Sequence, residues 1–188
     1  SMGLNSTKSL LNVRGELTFM DFIVNQIMHL RNSYNNEVRF LLMNSFSTSK
    51  ETKEFLLNYP ELGPPEKIEL IQNMIPKIDA ESYEAVSCDH SPELEWCPPG
   101  HGDIYAALLG TGMLDTLVDS GVKYAFISNS DNLGATLDFK LLNEFLNSDS
   151  SFMMEVTRRT DVDKKGGHLA RDSRNGNFLL REVAQCPE

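Results

Sequence analysis

The chain has 188 residues, 40% apolar and 23% charged, the composition of a folded globular unit of ordinary size and not of a disordered segment. Its net charge of −10 excludes the broad basic surface that a polyphosphate backbone demands, so no nucleic-acid partner is expected, and an anionic ligand must be met by local amides and a few chosen lysines. There is no long apolar run and no basic-then-apolar start, so neither a membrane span nor a signal peptide is expected, and an odd count of three cysteines reads as reduced thiols in a cytoplasmic protein.

In LTFMDFIVNQIMHLRNSY the apolar residues Phe19, Phe22, Ile23, Val24, Ile27, Met28 and Leu30 keep a helical period, with Thr18 as N-cap. Val38 to Met43 is a short apolar run ending in Asn-Ser, which predicts a strand buried on both faces, as in a parallel sheet. STSKETKEFLLNY restarts a helix, with Ser47, Thr48 or Ser49 as its cap. After the ELGPPEK break, KIELIQNMIPKI predicts a strand running into a loop that holds Gln72 and Pro76. From Asp79 to Pro99 there is little regular pattern.

A helix opened by Asp103 sets Ile104, Ala107, Leu108, Leu114, Leu117 and Val118 toward one side; Gly110 and Gly112 weaken its middle and Gly121 stops it. Tyr124 to Ile127 predicts a buried strand, followed abruptly by the polar set Ser128, Asn129, Ser130, Asp131 and Asn132. The helix DFKLLNEFLNS comes next, then a strand-like SFMMEVTRRT, and Asn175-Gly176 favours a two-residue hairpin between extended arms. The alternation predicts an α/β fold, a mostly parallel sheet flanked by helices with an appended β-hairpin.

In such a sheet ligands bind beyond the carboxyl ends of the strands, which draws attention to Asp131. A carboxylate there, backed by Asn129 and followed by Gly134, suits a Mg²⁺ ion that bridges phosphate oxygens; the plainer reading is an aspartate that caps the next helix or closes a turn. In PPGHGD, Gly100 and Gly102 let the backbone approach a ligand, Pro98 and Pro99 stiffen the entry, and His101 either donates to a phosphate or is an ordinary loop histidine. Cys88, His90, Cys97 and His101 form a rival set of zinc ligands, though without a CxxC pair. Lys8 is a surface charge or a cation at the same sheet edge. Gly166-Gly167 reads as a turn, and Glu182 as a strand residue facing solvent.

Taken together and in order, EWCPPGHGDIYAALLGTGMLD, FISNSDNLGATLD, MEVTRRT, KKGGHL and LLREVAQCP resemble the eukaryotic-type UTP–glucose-1-phosphate uridylyltransferases, over nearly the whole chain. The resemblance implies a Rossmann-like catalytic domain of the glycosyltransferase-A type, with UTP, glucose 1-phosphate, UDP-glucose and pyrophosphate as partners and Mg²⁺ as cofactor. It implies that Gln72 and Gly100 contact uracil and that His101 and Lys8 contact phosphates. Asp131 becomes the metal ligand, Asn129 and Ser130 lie beside the nucleotide, and Gly166, Gly167 and Glu182 face the glucosyl group. Lys8 and Asp131 are the residues expected to carry catalysis. The family's LxGGxGTxMG loop is matched at most by SMG at residues 1–3, and its further lysine and left-handed β-helix find no counterpart, so residues 1–188 are expected to be a partial catalytic domain, truncated at both ends and inactive alone. The alternatives are a related pyrophosphorylase for other UDP-sugars or UDP-N-acetylhexosamine, and a non-catalytic nucleotide-binding remnant.

Overall fold

Thr18 and Asp21 start the longest helix by satisfying each other's backbone. The Thr18 Oγ1 accepts from the Asp21 N–H at 3.2 Å, and the Asp21 carboxylate accepts from the Thr18 N–H at 2.6 Å and from its hydroxyl at 2.7 Å. The computed structural model describes residues 7–158, 160–163 and 166–186, and the chain divides into two compact units, Ser1–Leu137 and Asp138–Glu188.

In the first unit, β1 (Asn12–Arg14) and β2 (Leu17–Thr18) pair antiparallel and lead into α1 (Phe19–Tyr34), which ends on Asn35 in the left-handed region. Of the helical stripe read from the sequence, Val24 is fully buried; Met20 and the acidic Asp21 join it inside, where the stripe did not place them. The expected strand over Val38–Met43 is narrower and shifted: β3 spans Leu42–Asn44. α2 (Ser49–Leu56) and the short α3 (Pro65–Ile68) follow, then β4 (Glu69–Ile71), parallel to β3 with Met43 opposite Leu70. Met20, Val24, Leu56, Leu62 and Ile68 form the core, so α1, α2 and α3 pack on the β3–β4 pair.

Beyond β4, β5 (Ile75–Pro76) pairs antiparallel with β6 (Trp96–Cys97), which brings order into a stretch that carries no periodic signal. The helix expected from Asp103 is two helices, α4 (Ile104–Gly110) and α5 (Met113–Asp119), broken where Gly112 takes φ +71°. Only Ala107 of its apolar side is buried, and Val118 stands 61% exposed.

Tyr124 to Ile127 forms no strand among the described residues, and Tyr124, Phe126 and Ile127 are exposed, against the expectation of a buried strand. The reason is that an extended run becomes a strand only when a neighbour takes up its N–H and C=O groups, and apolarity says nothing of that neighbour.

In the second unit, α6 (Phe139–Leu146) begins where Asp138 accepts from the Lys140 N–H at 2.7 Å. The strand expected in SFMMEVTRRT is absent over the described residues 152–158, for the same want of a ladder. The hairpin is present as β7 (His168–Arg171) and β8 (Phe178–Arg181), with Arg171 opposite Phe178. Its turn is longer than two residues: Gly176, at φ +75°, donates to the Asp172 carbonyl at 2.8 Å, and Asp172 donates to that of Asn177 at 2.9 Å. The architecture is mixed α/β; among the described residues β3–β4 is parallel and the other ladders are antiparallel.

Candidate functional site

The loop after Tyr124–Ile127 folds into a turn in which the Asn132 N–H donates to the Asn129 carbonyl at 3.1 Å, leaving Ser130 and Asp131 at its corner. From α1, the Gln26 amide donates to the Leu133 carbonyl at 3.1 Å and anchors this turn to the core. Asp131 meets the Lys8 ammonium in an ion pair at the partly open surface, with 32% and 50% of the two side chains exposed. The Lys8 hydrogen bond, helped by its charge and by that of His101, holds the Asp131 carboxyl below the usual aspartate range, although burial opposes it. Two residues far apart in sequence therefore meet here, Lys8 and Asp131.

Lys8 is itself positioned. The neighbouring Thr7 donates from its N–H at 2.8 Å and its hydroxyl at 2.7 Å to Glu51, in the first turn of α2. The two bonds hold the Glu51 carboxyl below its ordinary value, the hydroxyl contributing most.

Gln72 follows β4 and extends the β3–β4 ladder by donating its N–H to the Asn44 carbonyl at 2.9 Å. Its Oε1 is buried and has no hydrogen-bond partner, an acceptor suited to an N–H of a ligand. The next residue, Asn73, donates to Asp103 from its backbone N–H at 2.6 Å and from its side-chain amide at 2.9 Å. Gly100 sits at φ +113°, a conformation that L side chains rarely adopt, and it turns the chain so that His101–Asp103 forms a short 3₁₀ turn before α4. Gln72, Gly100 and His101 are thus on two segments joined by the Asn73–Asp103 contact.

Gly166, Gly167 and Glu182 lie in the second unit. A Cβ on Gly167 would come within 3.1 Å of the Arg181 carbonyl and 3.2 Å of Glu182 Oε1, so glycine there lets the backbone lie against β8; Gly166 is an exposed bend. The lysines of the KKGGHL motif, Lys164 and Lys165, fall outside the described residues. Cys88, His90, Cys97 and His101 do not gather: among the described residues no group of three or more His, Cys, Asp or Glu side chains is disposed to hold a metal ion. Asp131 as a lone carboxylate fits Mg²⁺ chemistry, since that ion is commonly held by one or two carboxylates with phosphate oxygens and water, and the depressed carboxyl stays ionised.

Sequence reasoning missed Gln26, Glu51, Asn73 and Asp103 as positioning groups. Asp103 was legible only as a helix opener, yet its side chain makes no capping bond and goes to Asn73 instead. Asp21 and Thr18 carried a signal, the four-residue capping pattern.

Residues 1–188 match the protein family described as UTP–glucose-1-phosphate uridylyltransferase. The chain is 40% identical to the UTP–glucose-1-phosphate uridylyltransferase of Musa acuminata, covering 100% of itself and 40% of that protein, and 39% identical to that of Saccharomyces cerevisiae, covering 100% and 37%. Among solved structures, a Trypanosoma brucei UDP-glucose phosphorylase superposes with a TM-score of 0.91 at 52% identity, covering 100% of this chain and 40% of that one. A mutant Leishmania major UDP-glucose pyrophosphorylase in complex with UDP-glucose gives 0.88 at 46%, covering 99% and 42%. The chain spans about 40% of the length of the relatives it matches. Among the described residues no helix is long and apolar enough to cross a membrane.

Proposed function

We propose that this chain, which belongs to the UTP–glucose-1-phosphate uridylyltransferase family, supplies the uridine- and phosphate-facing part of a site that transfers uridylyl from UTP to glucose 1-phosphate, giving UDP-glucose and pyrophosphate. The observation that carries the reading is the meeting of Lys8 with Asp131, in a chain otherwise strongly acidic. A cation beside an ionised carboxylate suits a nucleoside triphosphate with its metal.

On this reading the anionic phosphate oxygen of glucose 1-phosphate forms a bond to the α-phosphorus of UTP while the bond to pyrophosphate breaks in line. No proton has to be removed from the attacking oxygen and no enzyme nucleophile is needed, so positioning and charge neutralisation supply most of the acceleration. Lys8 and His101 offset the phosphate charge, and Lys8 orients Asp131. Asp131 would hold Mg²⁺, with Asn129 and Ser130 beside it in the same turn, and a bound Mg²⁺ would supply charge neutralisation to the phosphates. The buried Gln72 Oε1 and the Gly100 backbone would read the uracil edge. In the second unit, Gly166, Gly167 and Glu182 would face the glucosyl group, a role supported by the closeness of Gly167 to Glu182.

The same family membership supports reading the whole chain as part of one nucleotidyltransferase catalytic domain, with β3 and β4 in a Rossmann-like sheet of the glycosyltransferase-A type. The free thiols Cys88, Cys97 and Cys186 support a cytoplasmic setting.

Titration with UTP, ATP and GTP in the presence of Mg²⁺ tests the reading. UTP should bind at least tenfold more tightly than either purine nucleotide; equal affinities, or no binding of UTP, would overturn it.

A further inference from the structure

We propose that Asp103 is a positioning residue: by gripping Asn73 it ties the Gly100–His101 turn to the Gln72 segment and sets the gap across which a pyrimidine is chosen over a purine. The inference rests on the nucleotide-binding reading above.

The turn is pinned on both sides to one segment. It leaves β6 at Cys97, which pairs with Ile75, and it is caught again at Asp103, whose carboxylate accepts from the Asn73 N–H at 2.6 Å and from the Asn73 amide at 2.9 and 3.2 Å. Outside this bracket, the Lys77 N–H donates to the Glu95 carbonyl at 2.7 Å and continues the ladder away from the site. Residues 98–102 are therefore a loop closed by a ladder at one end and a charge-assisted bond at the other, and closure of that kind removes most of the freedom a loop of glycines would have. Pro98 and Pro99 restrict the entering arm further, and Gly100 supplies the one left-handed step.

The side chain of Asp103 is committed to this task. It stands at the N-cap of α4, where an aspartate ordinarily accepts from the helix's own amides, yet it makes no such bond. Gln72, adjacent to Asn73, and Gly100, three residues before Asp103, are the two proposed uracil contacts. Holding Asn73 to Asp103 thus fixes how far apart those contacts stand. A gap fixed for a single ring excludes a fused pair, because a rigid site rejects what it leaves unpaired or crowded.

The tie is tested by Asp103→Ala and by the exchanged pair Asn73→Asp with Asp103→Asn, in which an amide at position 103 can accept from the backbone N–H at 73 and donate to the new carboxylate. Amide hydrogen exchange and nucleotide titration are read together. Asp103→Ala should speed exchange at the Asn73 amide and through Gly100–Gly102, weaken UTP binding about tenfold and leave ATP binding unchanged, so that the preference for UTP collapses; the exchanged pair should restore both readouts. Unaltered exchange, an unaltered preference in Asp103→Ala, or an exchanged pair that folds without restoring them would overturn the proposal. Failure of the nucleotide-binding reading shows separately, as no UTP binding by the unsubstituted chain, and the exchange rates alone then uphold or overturn the tie.

Discussion

The hydrogen bond from Lys8 holds the Asp131 carboxyl below its ordinary value, and the same carboxylate is the group proposed to hold Mg²⁺. Asp131→Asn keeps the shape and removes the charge. UTP affinity in that variant should become independent of Mg²⁺, with a loss of about tenfold or more relative to the unsubstituted chain when Mg²⁺ is present, as measured by titration with and without a chelator. An affinity that still rises with Mg²⁺ would refute the assignment. At Gly100 the argument is conformational: with φ at +113° and nothing within 4 Å of a built Cβ, Gly100→Ala meets no clash but does meet strain. A cost of about 1–3 kcal/mol, visible as a lower urea midpoint, is expected from the backbone alone.

At the scale of an element, α1 depends on a buried acid. Burial pushes the Asp21 carboxyl up, but hydrogen bonds from Tyr59, from the Thr18 backbone and from the Thr18 hydroxyl outweigh it and leave Asp21 below its ordinary value. The same contact, led by the hydrogen bond to Asp21, pushes the Tyr59 hydroxyl up to about 12. Tyr59 therefore ties the segment after α2 to the first turn of α1. Tyr59→Phe leaves a buried carboxylate short of a donor and should cost about 1–3 kcal/mol of unfolding free energy. Thr18→Ala removes both a cap and a donor to Asp21, and about 1–2 kcal/mol is expected. A loss below about 0.5 kcal/mol for both variants would mean that the network does not hold the helix.

For the molecule as a whole, these shifts set the pH window of stability. Asp21, Glu51 and Asp131 all titrate lower folded than unfolded, so what they contribute is present above the ordinary carboxylate range and is lost as pH falls through their depressed values. Tyr59 is the opposite case: its contribution is whole below pH 10.0, the ordinary tyrosine value, and drains away as pH rises toward about 12. A plateau of urea midpoints between the two limbs is the expected profile, and Tyr59→Phe should remove the alkaline limb selectively. Mass action adds a ligand term: at a hundredfold excess of UTP over its Kd, with Mg²⁺, the chain should gain about 2.7 kcal/mol and melt several degrees higher, whereas ATP at the same concentration, bound at least tenfold more weakly, should add no more than about 1.4 kcal/mol.

Much of this was legible before any fold was drawn. The helical period and cap of α1, the stop at Gly121, the weak middle around Gly112 and a hairpin around Gly176 follow from local rules, in which a residue's neighbours along the chain decide the outcome. The order of the motifs named the family, and Lys8, His101 and Asp131 were marked as separate candidates. What no local rule carries is who meets whom: Lys8 reaching Asp131 across 123 positions, Asn73 catching Asp103, Gln26 holding Leu133 and Glu51 holding Thr7. The absence of a strand over Tyr124–Ile127 belongs with these, since an extended segment acquires a ladder only from a strand elsewhere in the chain. Composition and periodicity by themselves determined which elements form and which chemistry is on offer; only the tertiary structure decided which charges, amides and turns come together, because hydrogen bonds between distant residues depend on closure of the chain and not on its local preferences.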